Sequence, residues 1–423
     1  MDRPKVTSWG VATLDDIDLC DLDRFANGFP HETFEMLRQR APVWFHPPTE
    51  NVPGGEGFWV LSKYNDVLAA ASDGTVFSSH RGGLRQGGGT LIEDLPEGFT
   101  GTLLNMTDDP FHQRFRSLLT PSLSPKALRA LEGDLRERTG QIVNRALERG
   151  EVDLLLDIAA ELPMQAAAGL LGVPQSDRLQ LMDWADATLD YEDRELGGVS
   201  ERAASASAEM FAYGAALIEI RRKDPGDDLL SAAIHGTVLD GDERRHLRDD
   251  ELQLLFSLLV AAGTETTRNT IAVGVAALAE RHQQWITLDQ HRSLLPGAVE
   301  EMLRWASSTP YNRRTATRDV MVGEEKISAG EKVTLWWASA NRDEDEFVAP
   351  NMFDIRRNPN RHLAFGHGAH FCLGARLARL EISLILDVLL DSVESIDVTG
   401  PTEWTRSNKH TGVRHLPIRL NPK

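Results

Sequence analysis

The residue with the clearest chemical potential is Cys372, which lies in a glycine-rich stretch from Phe365 to Gly374. A helix-like run from Leu373 to Leu390 begins directly after it. A thiol at a helix N-terminus faces unpaired backbone N–H groups and the positive end of the helix dipole, so we expect its pKa to be lowered. A thiolate in an apolar surrounding acts as a metal ligand or as a nucleophile.

Two plainer interpretations of Cys372 compete with this one. A lone cysteine is most often a small buried hydrophobe. A zinc site is also compatible with the composition, because His362, His367 and His370 lie near Cys372 and zinc prefers imidazole and thiolate ligands. However, the pattern Phe-x-x-Gly-x-His-x-Cys-x-Gly arises by chance in only about one chain of this length in ten thousand. The pattern is therefore a strong signal.

This pattern is identified as the cysteine-loop signature of the cytochrome P450 family, so the chain resembles a soluble bacterial haem-thiolate monooxygenase. The resemblance implies a mainly α cytochrome P450 fold, multihelical with small β-sheets. Haem b would lie between a long central helix and the cysteine loop, with Cys372 as axial ligand of the iron. Phe365, His370 and Gly374 would contact the haem, and thiolate donation would favour cleavage of the O–O bond.

A long helix must supply the opposite wall of such a site, and residues 252–279 carry the longest helical pattern. It turns from apolar to polar at Ala262, where small residues would let another body approach the backbone. A helix that merely reaches the surface is the plain alternative. By resemblance, Gly263, Glu265 and Thr266 match the oxygen-activating Gly-x-acid-Thr motif, and Glu265 and Thr266 are the predicted catalytic proton relay.

A second predicted helix begins at Asp108 and carries His112 and Arg116, which lie four residues apart and hence on one face. A solvated cationic stripe would explain them alone. The resemblance implies that both hold the haem propionates, with Arg314 as a further partner. Asp109 departs from the family, where many relatives have a second proline.

The sequence Glu301-Met302-Leu303-Arg304 places an acid and a base at i,i+3 on the next predicted helix. Such a pair is common on protein surfaces and has little specificity alone. In the family it is buried and joined by a further arginine, which by position is Arg357. We therefore expect these residues to have a structural role in fixing the geometry of the cysteine loop.

The bulk composition restricts the partners and the compartment. The 423-residue chain has a formal net charge of −19, which argues against nucleic-acid or anionic-membrane partners. Two distant cysteines suit a reducing compartment, and neither a signal peptide nor a spanning segment is evident. These features predict a cytoplasmic monomer.

By resemblance, electrons come from NAD(P)H through a separate ferredoxin and ferredoxin reductase, and O2 is the co-substrate. Because ferredoxins are acidic, we expect a local basic patch that includes Arg379 and also Arg114 and Arg376.

The remaining pattern predicts an irregular N-terminal segment (residues 1–30) and one haem domain (residues 31–423). A long loop at residues 80–105 would cover the substrate pocket. The acidic run from Asp183 to Glu195 would lie near a lid around Gly197-Gly198. The predicted elements are a helix at residues 31–41, strands at 42–45 and 57–61, a helix at 63–71, amphipathic helices at 125–223, strands at 312–318, 320–327 and 332–338, and a β-like tail beyond 390.

The substrate is the least determined feature. The predicted pocket residues are Ala262, Thr309, Tyr311 and Thr411. The polar tail turn around Thr411 resembles that of relatives that hydroxylate carrier-bound aminoacyl groups in antibiotic pathways, and we favour such a specialised-metabolite hydroxylase. A sterol, terpenoid or branched-lipid hydroxylase is the alternative, and a peroxide-using peroxygenase or a haem sensor is a remote one.

Overall fold

The computed structural model describes residues 13–81, 85, 87–95, 98–188 and 201–423, without the side chains of residues 186 and 188. The first twelve residues of the predicted N-terminal segment, the Gly197-Gly198 break and residues 189–195 of the acidic run lie outside the described residues. The rest of the N-terminal segment holds only the short 3-10 turns Leu14–Asp16 and Leu22–Phe25.

The protein is mainly helical, as predicted, and most helices begin within a few residues of the expected positions. The long helix in the middle of the chain, Asp249–Ala279, is hereafter the central helix. Three acidic residues occupy its first turn, where carboxylates offset the helix dipole. The helices are His31–Arg40, Tyr64–Ser72, Phe111–Leu119, Pro125–Arg149, Glu161–Leu170, Arg178–Thr188, Glu201–Lys223, Leu229–His235, Asp249–Ala279, His282–Gln290, Leu295–Ala306, Trp337–Ala340 and Ala375–Ser392.

Small sheets flank the helical body. The largest has five strands in the order Val43–His46, Phe58–Leu61, Lys332–Leu335, Asn312–Ala316 and Phe77–Ser78, with only the second and third strands parallel. A three-stranded sheet joins Val393–Val398, Pro417–Pro422 and Glu151–Asp153. Two-stranded pairs are formed by Glu403–Trp404 with Val413–His415, Val238–Asp240 with Glu243–Arg245, and Val320–Val322 with Glu325–Ile327.

Three predicted strands are too long. The strand expected at residues 320–327 is an antiparallel pair that turns at Gly323, and the strand expected at 312–318 ends at Ala316. The strand expected at residues 332–338 ends at Leu335, and the chain turns into the short helix Trp337–Ala340. Trp336 and Trp337 are both buried, each in a different apolar cluster, whereas consecutive strand residues on a half-exposed sheet would bury only one side. The turn therefore lets both indoles leave solvent.

The core places the central helix at the middle of the body. Most of its residues are buried all around the helix, and its neighbours include Glu161–Leu170, Leu295–Ala306 and Ala375–Ser392. A helix that is apolar on all sides needs such complete cover. Within the described residues, no helix has both the length and the apolar content needed to cross a membrane.

Candidate active site

The cysteine loop (residues 363–374) folds back on itself and directs Cys372 toward the interior. The Cys372 N–H donates to the Phe365 carbonyl at 2.9 Å, and the Phe371 N–H donates to the Gly368 carbonyl at 3.1 Å. Gly368 has a φ of +72°, and a Cβ there would lie 2.4 Å from the Ala71 carbonyl oxygen, so only glycine fits. The following helix begins at Ala375, with Gly374 as its N-cap.

The expectation of a lowered thiol pKa at Cys372 is wrong for the protein by itself. Burial raises this pKa and outweighs the opposing effects of the Gly374 and Ala375 N–H groups and of the Arg116 and Arg379 charges. A metal ion would reverse the balance, because a coordinating thiol is deprotonated outright. The helix N-terminus alone therefore does not favour the thiolate, whereas coordination of a metal ion would.

A zinc cluster at this loop has no support from the described residues. His362 donates its Nε2–H to the Glu300 carboxylate at 3.0 Å instead of turning toward the cysteine. No group of three or more metal-ligating side chains occurs in the described part of the chain. Cys372 would thus be a single protein ligand, as in a haem-thiolate centre.

An internal cavity of about 350 Å³ separates the cysteine loop from the central helix. Cys372 lines one side, and the central helix lines the other with Ala262, Gly263 and Thr266. The predicted site residues that line this cavity are Ala262, Thr266, His112, Arg116, Thr309, Arg314, Phe365, His370, Cys372 and Gly374. A Cβ at Gly374 would meet open space, so this side of the loop leaves room for a flat group.

The cavity wall carries two arginines without a paired carboxylate among the described residues, Arg116 and Arg314, and beside them His112. Arg314 is buried, and burial lowers its pKa to about 10 even though Asp108 opposes the shift. Burial also lowers the pKa of Arg116, with only Cys372 acting in the other direction. The buried Nδ1 of His112 has no hydrogen-bond partner among the described residues, and its nearest carboxylate oxygen, on Asp109, is 3.5 Å away.

His370 lies beside these residues as a neutral ring. Its ring centroid lies 3.9 Å from that of His112. Burial, followed by the charges of Arg314, His112 and Arg116, lowers the pKa of His370 to about 2, so the ring is neutral. Buried guanidinium groups are costly without anions. The residues present therefore fit a group that brings two carboxylates into the cavity, as haem does.

Glu265 and Thr266 face different surroundings, because consecutive residues on a helix point about 100° apart. The Thr266 hydroxyl donates to the Ala262 carbonyl at 3.1 Å and lines the cavity. Glu265 is 3% exposed and does not line the cavity; its Oε2 lies 3.5 Å from Nδ1 of His410 in the tail turn. The structure thus brings Thr266 to the cavity and Glu265 to the C-terminal tail.

Glu301, Arg304 and Arg357 meet in a buried cluster, as the sequence predicted. Arg304 donates to the Glu301 carboxylate at 2.7 and 2.8 Å and to the carbonyls of Asn341, Pro350 and Met352. Glu301 also accepts from Arg357 Nε at 3.2 Å and from the Asp354 N–H at 2.8 Å. The cluster ties the helix Leu295–Ala306 to the segment that leads into the cysteine loop.

Two of the four predicted pocket residues do not line the cavity, which corrects that expectation. Tyr311 is 2% exposed and packs on Trp336, with ring centroids 4.7 Å apart, because the N-terminal apolar cluster takes its side chain. The Thr411 N–H donates to the Ser308 carbonyl at 2.9 Å, so Thr411 supports a cavity residue from behind.

The predicted basic patch is also changed. Arg379 is held by Glu300 at 2.6 and 2.9 Å, and Arg114 donates to the Leu239 carbonyl at 2.8 Å. Arg376 is exposed. Glu300 neutralises the charge of Arg379, whereas Arg114 keeps its charge because a carbonyl is neutral. Arg376 and Arg114 therefore contribute most to any such patch.

Sequence reasoning missed the buried carboxyl of Glu381, which lines the cavity. Burial raises its pKa well above 4.5, and its Oε1 has no hydrogen-bond partner among the described residues. The helical period could have found it, because Gly374, Leu377 and Ala378 precede it on the same face and also line the cavity.

The comparisons with known proteins agree with this geometry. A family model described as Cytochrome P450 matches residues 175–409. A putative cytochrome P450 126 of Mycobacterium tuberculosis is 45% identical over 411 residues, which cover 97% of this chain and 99% of the relative. A methyl-branched lipid omega-hydroxylase of Mycobacterium bovis is 38% identical, with 95% and 94% coverage. A steroid C26-monooxygenase of Rhodococcus jostii is 36% identical, with 95% and 84% coverage.

Solved structures show the same architecture. The Mycobacterium marinum cytochrome P450 CYP268A2 in complex with pseudoionone has a TM-score of 0.83 and 34% identity, with 92% of this chain and 94% of that chain covered. P450 OxyD, which is involved in the biosynthesis of vancomycin-type antibiotics, has a TM-score of 0.85 and 30% identity, with 96% and 100% coverage.

Proposed function

This chain belongs to the cytochrome P450 family and is a cytochrome P450 monooxygenase, and from that premise we propose that it hydroxylates a C–H bond of an apolar substrate. The substrate class is a sterol, a terpenoid or a branched lipid. The observation that carries this proposal is the leucine wall of the cavity, contributed by Leu170, Leu171, Leu229, Leu258 and Leu259. Burial of an apolar ligand against such side chains yields about 25 cal/mol per Å². The names of the lipid and steroid relatives support the same class.

The residues that would hold haem are the cavity-lining thiol and the cavity-lining basic side chains. We propose that Cys372 would bind the haem iron and that His112, Arg116 and Arg314 would hold the two propionates. Phe365, His370 and Gly374 form the adjoining wall. Bound haem would supply reduction and cleavage of O2, and the thiolate would favour that cleavage.

Glu265 and Thr266 would hold and move the protons that this chemistry consumes. We propose that Thr266 Oγ1 presents a proton to the cavity and that Glu265, on the tail side of the helix, resupplies it. Glu301, Arg304 and Arg357 act structurally, by fixing the segment before the cysteine loop.

Hydroxylation of a carrier-bound aminoacyl group in an antibiotic pathway is the second candidate. Its support is the similarity to P450 OxyD. Its weakness is that Tyr311 and Thr411, two of the polar residues on which it rested, are absent from the cavity wall within the described residues. We therefore place the apolar substrate first.

Electron supply is proposed to involve NAD(P)H, a ferredoxin reductase and a ferredoxin as separate proteins, with residues 31–423 acting as one haem domain and as a monomer. Attraction of an acidic ferredoxin by Arg376 would weaken as salt is added. A reduction rate that does not change with ionic strength would contradict this patch. Turnover with peroxide alone, without any electron donor, would instead favour a peroxygenase.

The test of the substrate class is a titration of the purified ferric protein, followed by the haem absorption band. A sterol or branched lipid that displaces water from the iron is expected to shift the band, whereas a carrier-bound aminoacyl group is expected not to. Leu258→Asn, in the leucine wall, should weaken the apolar ligand. Leu179→Asn is the matched control, because Leu179 is exposed and outside the described cavity wall. The reverse pattern of ligands would establish the second candidate.

A further inference from the structure

Among the polar residues of the cavity wall, two form a hydrogen-bonded pair where the central helix meets the segment after the helix Leu295–Ala306. The hydroxyls of Thr270 and Ser308 lie 2.9 Å apart. Thr270 is 4% exposed and Ser308 is 6% exposed, and both line the cavity. The two residues are 38 positions apart in the chain, so tertiary packing alone brings them together.

The backbone holds this pair in place from both sides. Thr270 follows Thr266 by one turn of the central helix, which is about 6 Å along the axis. The Ser308 carbonyl accepts from the Thr411 N–H at 2.9 Å, which fixes the segment that carries the serine. The site is therefore formed before any ligand arrives.

Counting protons shows that the pair has unused capacity. A hydroxyl has one proton to donate and two lone pairs to accept with. The Thr270 hydroxyl donates to the Thr266 carbonyl at 2.9 Å, so in this arrangement Ser308 donates to Thr270. The lone pairs of Ser308 Oγ then remain available to accept from a ligand hydroxyl.

With the hydrogen-bond direction reversed, the pair can bind a ligand carbonyl. If the Thr270 hydroxyl donates to Ser308 instead of to the Thr266 carbonyl, the Ser308 hydroxyl is free to donate to a carbonyl oxygen in the cavity. The Thr266 carbonyl loses only a side-chain bond, because it lies inside the central helix, where backbone donors reach carbonyls four residues earlier. The pair can thus donate to or accept from a ligand oxygen, and each such bond adds to affinity without breaking a backbone hydrogen bond.

We propose that Thr270 and Ser308 form a specificity subsite for a single hydroxyl or ketone oxygen on an otherwise apolar substrate. This inference rests on the proposed function and narrows it, because a bare hydrocarbon would leave the pair without a ligand partner. The bound oxygen would lie about one helical turn from Thr266. If Thr266 acts beside the oxidised carbon, as proposed above, the polar group of the substrate would also lie close to that carbon. Such spacing favours a compact alcohol or ketone over a long chain oxidised far from its polar end.

The test compares ligands that differ only in that oxygen. The ferric holoenzyme is titrated with 2-decalone, 2-decalol and decalin, and with 5α-cholestan-3-one and 5α-cholestane, while the haem absorption band is followed. One buried hydrogen bond is worth about 0.5–1.5 kcal/mol. Since 1.4 kcal/mol is tenfold in affinity, the decalin ketone and alcohol should bind about 2- to 12-fold more tightly than decalin. The preference should be larger in the decalin series than in the cholestane series.

The variants Thr270→Val and Ser308→Ala should each abolish this preference while leaving the affinity for decalin nearly unchanged. Thr139→Val is the matched control, because its hydroxyl also donates to a carbonyl four residues earlier but lies outside the described cavity wall. A purely structural role for the pair would alter stability in the variants without changing the ratio of ketone to hydrocarbon affinity.

The possible failures are distinguishable. Binding of the hydrocarbons as tightly as their ketones and alcohols, or an unchanged ratio in both variants, would overturn the subsite and leave the apolar substrate class intact. Failure of every one of these ligands to bind would overturn the proposed substrate class itself, and the subsite with it.

Discussion

The substitution Glu301→Gln should destabilise the protein strongly, because Glu301 is the only carboxylate that pairs with Arg304 among the described residues. Both side chains are 0% exposed. Glutamine keeps one acceptor oxygen but directs an NH2 group at a guanidinium, so the buried charge loses its counterion. Breaking a buried pair from one side costs about 3–5 kcal/mol.

The assay is urea unfolding of the holoenzyme, followed by far-ultraviolet circular dichroism and by haem absorption. With an m-value of about 3 kcal/mol/M, the midpoint should fall by about 1–1.7 M. Glu300→Gln is the matched control on the same helix, since Glu300 is partly exposed and pairs with Arg379. Its cost should be smaller than that of Glu301→Gln, because solvent screens a partly exposed pair.

A double variant shows whether the loss of stability comes from the unpaired charge of Arg304 or from the lost packing contacts of Glu301. Glu301→Leu with Arg304→Met removes both charges, and well-packed apolar replacements of a buried pair can be nearly neutral. This variant should be more stable than Glu301→Gln alone. A Glu301→Gln midpoint within about 0.3 M of the wild type, given the m-value above, would refute the reasoning.

Three further predictions concern the reaction and its pH range. Thr266→Ala should raise the peroxide released per NAD(P)H consumed, by removing the proposed proton donor, whereas Thr266→Ser should restore coupling; unchanged coupling would remove Thr266 from the relay. Cys372→Ser should abolish the thiolate-type spectrum of the reduced carbon monoxide complex, and its retention would contradict the ligand assignment. Burial raises the pKa of Glu300, but Arg379 and His362 outweigh it and hold this pKa at about 2, below the ordinary 4.5. Stabilisation by Glu300 is thus complete above pH 4.5 and is lost as the pH falls toward 2. The destabilisation caused by Glu300→Gln, measured by urea unfolding, should shrink over that range, and a constant difference would contradict the assignment.

The sequence by itself determined the features that depend on local spacing. The glycine-rich stretch around Cys372 predicts a tight loop, and in the structure Gly368 has a positive φ there. The helical period predicted the central helix and the shared face of His112 and Arg116. The i,i+3 spacing of Glu301 and Arg304 predicted their pairing, because helical geometry brings such residues together.

The burial of individual side chains and the pKa of Cys372 depended on which distant segments pack together. Local sequence patterns carry little information about such packing. The sequence around Tyr311 is compatible both with a buried side chain and with one that lines the cavity. Packing against Trp336, which is distant in the chain, places the side chain in the apolar core. The pKa of Cys372 depended on its desolvation by the whole fold, which outweighs the helix N-terminus that the sequence shows.

The pairing of Thr270 with Ser308 and the exposure of Glu381 to the cavity were likewise decided by the tertiary structure. In the sequence, both residues of the pair are ordinary small polar residues on separate elements. Only the packing of the central helix against the chain after Leu295–Ala306 places two hydroxyls at one hydrogen-bonding distance inside an apolar cavity. Hydrogen bonds between distant elements form because burial leaves polar atoms no other partner, and burial is a property of the folded chain.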